Sequence, residues 1–299
     1  MPRGLFAGGV DRVAGFAAAV EDAGLDRLWV GDHVSFRGGQ GYDGLLQATA
    51  LATLTRRVAV QTAVYLLPLR HPLPVARQVA SLAELAPGRL VFGVGVGGDD
   101  PAEVANSGVD PATRGRRMDE SLAVVRRLLA GEVVDHRGEH FVLDGAAIRP
   151  TPEPAVPIVV GGRAPAALRR AGRLGDGWLG VWVGPERFAD STAAVARAAG
   201  DAGRSDVVWQ HGLLVWCGFG PTAAAARPAL AAAMEDLYHL PFERFARYSP
   251  HGTPDDVATF LMRYVDAGAS TVLLAAVADD PDEVVAGAAR VRAVLRGAA

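Results

Sequence analysis

Lysine is missing from this sequence: its 30 basic residues are all arginine. Schiff-base chemistry and a Walker-type phosphate loop both need lysine, so both are excluded. Cysteine is almost absent. The single Cys217 rules out an internal disulfide framework and any multi-cysteine metal site. No uninterrupted apolar run reaches eighteen residues, so no membrane-spanning helix is expected. Positive charge is not in excess either. A formal net charge of −3 leaves no electrostatic footprint for nucleic acid. Asp11 and Arg12 interrupt the N-terminal region before a signal-peptide core could form, which makes a cytoplasmic location the expectation.

What is present is a well-cored globular composition: 299 residues, 50% hydrophobic and 21% charged. Short β-branched runs alternate with longer amphipathic stretches, the signature of repeated β-α units around a parallel sheet. The pattern predicts strands near 5–7, 26–30, 58–64, 89–94, 158–160, 177–182, 207–216 and 271–276. Helices are predicted near 11–23, 44–55, 73–85, 114–129, 165–173, 188–202, 222–237, 254–267 and 282–295. Eight strands, each followed by a helix, is the count of an α/β fold of the (β/α)8 TIM-barrel type. A doubly wound open sheet would carry a Gly-x-Gly-x-x-Gly turn after its first strand, and none follows Leu5-Phe6-Ala7. The expectation is one barrel domain over 1–299. It carries insertions near 133–157, with a hairpin at His136-Arg137-Gly138-Glu139, and near 238–252.

Barrel enzymes place their chemistry where strands end and βα loops begin. The second predicted strand runs into Asp32-His33. A histidine there fits a proton donor, base or cofactor contact, or else an Asp-His pair that only pins the loop. The third runs into Arg70-His71-Pro72, where Pro72 suits the first position of a helix. The fourth runs into Gly93-Val94-Gly95-Val96-Gly97-Gly98, whose alternating glycines leave one face bare enough for a flat ring. Asp99, Asp100 and Glu103 follow and read as ordinary solvated loop acids. The fifth runs into Gly161-Gly162-Arg163-Ala164-Pro165: two glycines and a Pro-started helix, either a plain tight turn or a phosphate seat with Arg163 adding charge.

Taken together these segments resemble the luciferase-like flavin-dependent monooxygenase family, and within it the coenzyme F420-dependent oxidoreductases. The resemblance is carried by Leu28-Trp29-Val30-Gly31-Asp32-His33, Arg70-His71-Pro72 and Pro87-Gly88-Arg89-Leu90-Val91-Phe92-Gly93-Val94-Gly95. It continues through Arg114-Gly115-Arg116-Arg117-Met118-Asp119-Glu120-Ser121, Val156-Pro157-Ile158-Val159-Val160-Gly161-Gly162 and Gly172-Arg173-Leu174-Gly175-Asp176-Gly177-Trp178. It implies F420, or alternatively FMN, across the barrel mouth. The ring would meet Asp32-His33, Ala63-Val64 and the strand glycines Gly95 and Gly97; the phosphate would sit on Gly161, Gly162 and Arg163. It also implies a non-prolyl cis peptide at Ala63-Val64, His33 and Asp32 as catalytic residues, and a homodimer. In the sugar-phosphate dehydrogenases of that family an acid follows the glycines directly and lysine helps hold the phosphate. Here Gly98 stands in that place and lysine is absent, which speaks against a sugar-phosphate substrate.

The function implied is hydride transfer between the deazaflavin and a small organic substrate. The alternatives are an FMN-dependent two-component monooxygenase, a non-catalytic flavin-binding barrel, and a metal-dependent hydrolase using Asp32, His33 and His71; the last lacks paired metal-ligand spacing. Substrate-shaping lids are expected at Ser35, Phe36, Arg37 and Tyr42, and in the insertion with Phe242, Arg244 and Phe245.

Overall fold

The computed structural model describes residues 4–97, 100–278 and 280–297. The first half runs α1 (Gly9–Asp22), β1 (Arg27–Val30), α2 (Gly44–Leu54), β2 (Ala59–Thr62), α3 (Pro72–Leu85), β3 (Leu90–Val94), α4 (Pro101–Asn106) and α5 (Arg114–Leu129). Then come β4 (Val134–Arg137), β5 (Val142–Ala146), β6 (Ile158–Gly161), α6 (Pro165–Leu174), β7 (Gly177–Val181) and α7 (Pro185–Asp201). The chain closes with β8 (Gly212–Phe219), α8 (Ala223–Tyr238), β9 (His251–Gly252), α9 (Pro254–Asp266), β10 (Thr271–Val277) and α10 (Pro281–Gly297). These elements form two compact units, one of Met1–Leu28, Gly180–Thr192 and His211–Ala299, the other of Trp29–Leu179 and Ala193–Gln210.

In the second unit β2, β3, β6 and β7 are neighbours in that order, all parallel. Val60 pairs with Leu90, Phe92 with Ile158, and Val159 with Gly177. Leu90–Val94 is buried at every position, which explains why β3 reads as a continuous apolar run: a parallel strand is covered on both faces. On α5, Met118, Leu122, Val125 and Leu128 recur at helical spacing and form its buried stripe. Glu120 on the same helix accepts from the amides of His140 (3.0 Å) and Phe141 (2.9 Å) and lies 2.8 Å from His136 Nε2. That carboxylate fastens the antiparallel β4–β5 hairpin where the sequence placed one.

In the first unit β8 pairs in parallel with β10, from Thr271 opposite Gly212 to Val277 opposite Gly218, and with the two-residue β9. α9 begins with a capping box between Thr253 and Asp256 and Pro254 in its first turn.

Two expected strands are corrected. Leu5-Phe6-Ala7 is not a strand: Phe6–Gly8 is a single 3-10 turn, with Ala7 N bonded to Gly4 O (3.1 Å) and Gly8 N to Leu5 O (3.2 Å). Gly4 (φ 69°) and Gly9 (φ 80°) curl the chain at both ends, which a strand would not tolerate. The predicted strand over 207–216 begins only at Gly212 and continues to Phe219. Val208 stands exposed, so that β-branched segment has no face to bury.

Candidate cofactor and proton-transfer site

The ends of β2, β3 and β6 meet around one side chain. The Ala63–Val64 peptide is cis. Gly93 and Gly95 are held to the same segment, Tyr65 N donating to Gly93 O (2.8 Å) and Gly95 N to Tyr65 O (2.9 Å). Half-buried Val64 stands over two glycines. A β-carbon on Gly95 would collide with Val64 Cγ2, and one on Gly161 would lie 2.8 Å from Val64 Cγ1. Gly97 takes φ 68°, the left-handed region that favours glycine. Gly98 and Asp99 lie outside the described residues. Val64, half-buried and seated on the bare faces of Gly95 and Gly161, thus forms with Ala63 a low floor at these strand ends, which a flat ring can approach.

Next to this floor β6 turns into α6. Gly162 sits at φ 128°, and its carbonyl accepts from the Trp178 indole N–H at 2.7 Å. A β-carbon there would meet Ala167 Cβ at 2.8 Å. The α6 N-cap is Ala164, no side chain caps the first turn, and Pro165 starts the helix. An uncapped N-terminus presents amides and the positive end of the helix dipole to an anion. Arg163 is exposed beside it. This floor adjoining an anion seat fits a ring bearing a phosphate.

Asp32 and His33 leave β1 in different states. Asp32 is 2% exposed and its carboxylate is fully engaged. It accepts from Gly44 N (2.8 Å), Leu66 N (2.8 Å) and Arg70, whose two guanidinium nitrogens lie 2.6 and 2.9 Å away. Burial raises the Asp32 carboxyl while Arg70 and the two amides oppose that rise. Burial alone would lower Arg70, but the Asp32 charge, Tyr65, the Asp32 hydrogen bond and Asp43 together hold the guanidinium above its ordinary value. Arg70 also covers the ring of buried Tyr65 at 4.3 Å and reaches Asp43 at 3.0 Å. The carboxylate of Asp32, grouped with His33 by the sequence, ties the end of β1 to Leu66, two residues beyond Val64, and to the start of α2.

His33 is half-open. Its Nδ1 lies 3.1 and 3.2 Å from the two oxygens of Glu103, and its ring stacks on Phe36 with centroids 4.2 Å apart. Glu103, taken from sequence for a solvated loop acid, is 3% exposed and also accepts from Val34 N (2.7 Å) and Ser35 N (3.1 Å). The only local sign of it is the Asp100-Pro101 start of α4, which puts Glu103 in a first turn where acids are favoured.

The remaining candidates are structural. His71 caps α3, its Nδ1 accepting from Leu73 N at 3.2 Å; burial and the nearby Arg117 charge lower its pKa. A neutral ring is what that cap requires. In the first unit Phe242 is fully buried against His251, so it belongs to the core and not to a lid. Phe245 is also buried, packed with Trp182 and Tyr238 at centroid distances of 5.0 and 5.2 Å. Among the described residues no three His, Cys, Asp or Glu side chains gather to hold a metal, and no helix is long and apolar enough to cross a membrane.

Comparison with known proteins shows the family and the fold. Residues 3–293 match the family model of the luciferase-like monooxygenases. An F420-dependent glucose-6-phosphate dehydrogenase of Kineococcus radiotolerans is 30% identical over 287 residues, covering 86% of this chain and 84% of that protein. Two solved structures share the fold. An F420-dependent secondary alcohol dehydrogenase, in complex with an F420-acetone adduct, superposes with a TM-score of 0.81 at 23% identity, covering 96% of this chain and 94% of that one. The monooxygenase RslO1 of Streptomyces bottropensis gives 0.82 at 24% identity, covering 97% and 94%. The fold is that of the luciferase-like TIM barrels.

Proposed function

Because this chain belongs to the luciferase-like monooxygenase family, we propose that it is an oxidoreductase that binds coenzyme F420 and moves a hydride between that deazaflavin and a small organic substrate. The observation that carries this reading is the floor at Ala63 and Val64, seated on Gly95 and Gly161 and adjoining the uncapped start of α6. The F420 dependence of the Kineococcus relative, similar over most of both chains, supports the deazaflavin over FMN. When bound, a deazaflavin supplies a centre that exchanges hydride with an organic substrate.

The chain's own residues supply the rest. Ala63, Val64, Gly95 and Gly97 would bear the ring, and Gly161, Gly162 and the first turn of α6 would hold the phosphate, with Arg163 adding charge. Asp32 acts as a positioning residue through Arg70, Gly44 and Leu66. His33 would exchange a proton with the substrate's oxygen or nitrogen, a general acid–base role. The family resemblance implies a homodimer.

Calorimetric titration of the apoprotein with F420 and with FMN, each at two salt concentrations, tests this. F420 is expected to bind more tightly, and more weakly at high salt as exposed arginine contacts are screened. Preferential FMN binding would move the protein to the two-component monooxygenase reading. Binding without turnover on any ketone, imine or enone would make it a flavin-binding barrel.

A further inference from the structure

Resting on the proton-exchange role proposed for His33, we infer that Glu103 is a positioning residue that fixes the tautomer of His33, so that Nε2 is its proton-exchanging atom. An ionised carboxylate only accepts hydrogen bonds. With Glu103 Oε2 3.1 Å from Nδ1, the bond requires a proton on Nδ1. In the neutral ring that leaves the lone pair on Nε2; in the protonated ring it is the Nε2 proton that departs. The ring is also fixed in plane. One face lies on Phe36, which is bridged to Gln40 across a tight turn. The side chain of His33 remains 36% exposed, so with Nδ1 turned inward proton exchange falls to Nε2.

The carboxylate divides its work between its two oxygens. Oε1 accepts from both amides, Val34 N at 2.7 Å and Ser35 N at 3.1 Å. Oε2 makes the shorter approach to Nδ1. Three residues earlier, Asp100 accepts from Arg37 N at 2.7 Å and caps α4 through Ala102 N at 2.9 Å. Two acids on one short helix thus hold the loop after β1. Only one of them touches the imidazole.

Glu103→Gln separates the two jobs. Its carboxamide oxygen keeps both amide bonds, while its NH2 comes to face Nδ1 as a donor and forces the proton to Nε2. The readout is the 15N spectrum of the His33 ring, followed to rising pH until its signals no longer change and the ring is neutral. The native protein is expected to show Nδ1–H. Glu103→Gln is expected to show Nε2–H with an unchanged melting temperature, and turnover at least tenfold lower at unchanged KM. Glu103→Asp, which restores a carboxylate, is expected to recover Nδ1–H. An Nε2–H ring in the native protein, or Nδ1–H persisting in folded Glu103→Gln, would overturn the inference. If the tautomer switches while turnover holds, Glu103 keeps its assignment and the acid–base role of His33 falls instead.

Discussion

Val64 fills the space that a side chain on Gly161 would need: a β-carbon there lies 2.8 Å from Val64 Cγ1. Two residues 97 positions apart therefore constrain each other, and glycine at 161 is required by packing, since its φ is not in the left-handed region. Gly161→Ala is expected to destabilise the protein by about 1–3 kcal/mol, the usual range for overpacking. Val64→Ala alone opens the space, and the double variant should recover much of the Gly161→Ala loss. Denaturant unfolding of the four proteins gives the coupling. Strict additivity would mean that the two residues do not share that space.

The Asp32–Arg70 pair should behave as a buried ion pair broken from one side. Arg70→Met leaves the Asp32 carboxylate in place with only two amide donors. The expected cost is about 3–5 kcal/mol, read as a shift in urea midpoint. A loss under 1 kcal/mol would show that the carboxylate finds solvent or takes up a proton at little cost.

A third stability test is set by pH and concerns the first unit. Burial lowers His211 from 6.5 to about 4, and the residue is 7% exposed. Between those values the unfolded chain carries a proton that the folded one refuses. Stability is therefore intact above about pH 6.5 and is lost as pH falls toward 4, by about 3 kcal/mol for this group. His211→Gln should flatten the stability curve by that amount over this window. An unchanged acid limb would exclude His211 as its cause.

Much of the fold was legible because its signals are local. The buried stripe of α5 repeats at helical spacing, and the helix runs over Arg114–Leu129 as predicted. The Thr253–Pro254–Asp256 start of α9 needs no information beyond four residues. Gly95, Gly161 and Gly162 could be picked out because missing side chains are visible in any sequence; that Val64, itself expected beside the ring, packs on Gly95 and Gly161 could not be. The partners of Asp32 and His33 were illegible for the opposite reason. Arg70 lies 38 residues from Asp32 and Glu103 lies 70 from His33, so each pairing exists only once β2, β3 and α4 are in place. Glu103 was misread on the general expectation that loop acids are solvated, which burial against Val34 and Ser35 overrides. The strand expected at 5–7 failed because three residues between flexible glycines carry no pattern that could separate a strand from a turn.

The anion seat at the start of α6 is the most direct point at which to test F420 binding. Ala164→Asp puts a capping carboxylate on the N-cap residue, where it can accept from the first-turn amides and occupy the space proposed for the cofactor phosphate. The helix itself should gain about 0.5–2 kcal/mol from the new cap. Fluorescence titration with F420, run beside thermal unfolding of the same samples, separates the two effects. The expected result is a higher melting temperature with F420 affinity at least tenfold weaker, about 1.4 kcal/mol. A stabilised Ala164→Asp variant that binds F420 as tightly as the native protein would contradict the assignment of this seat.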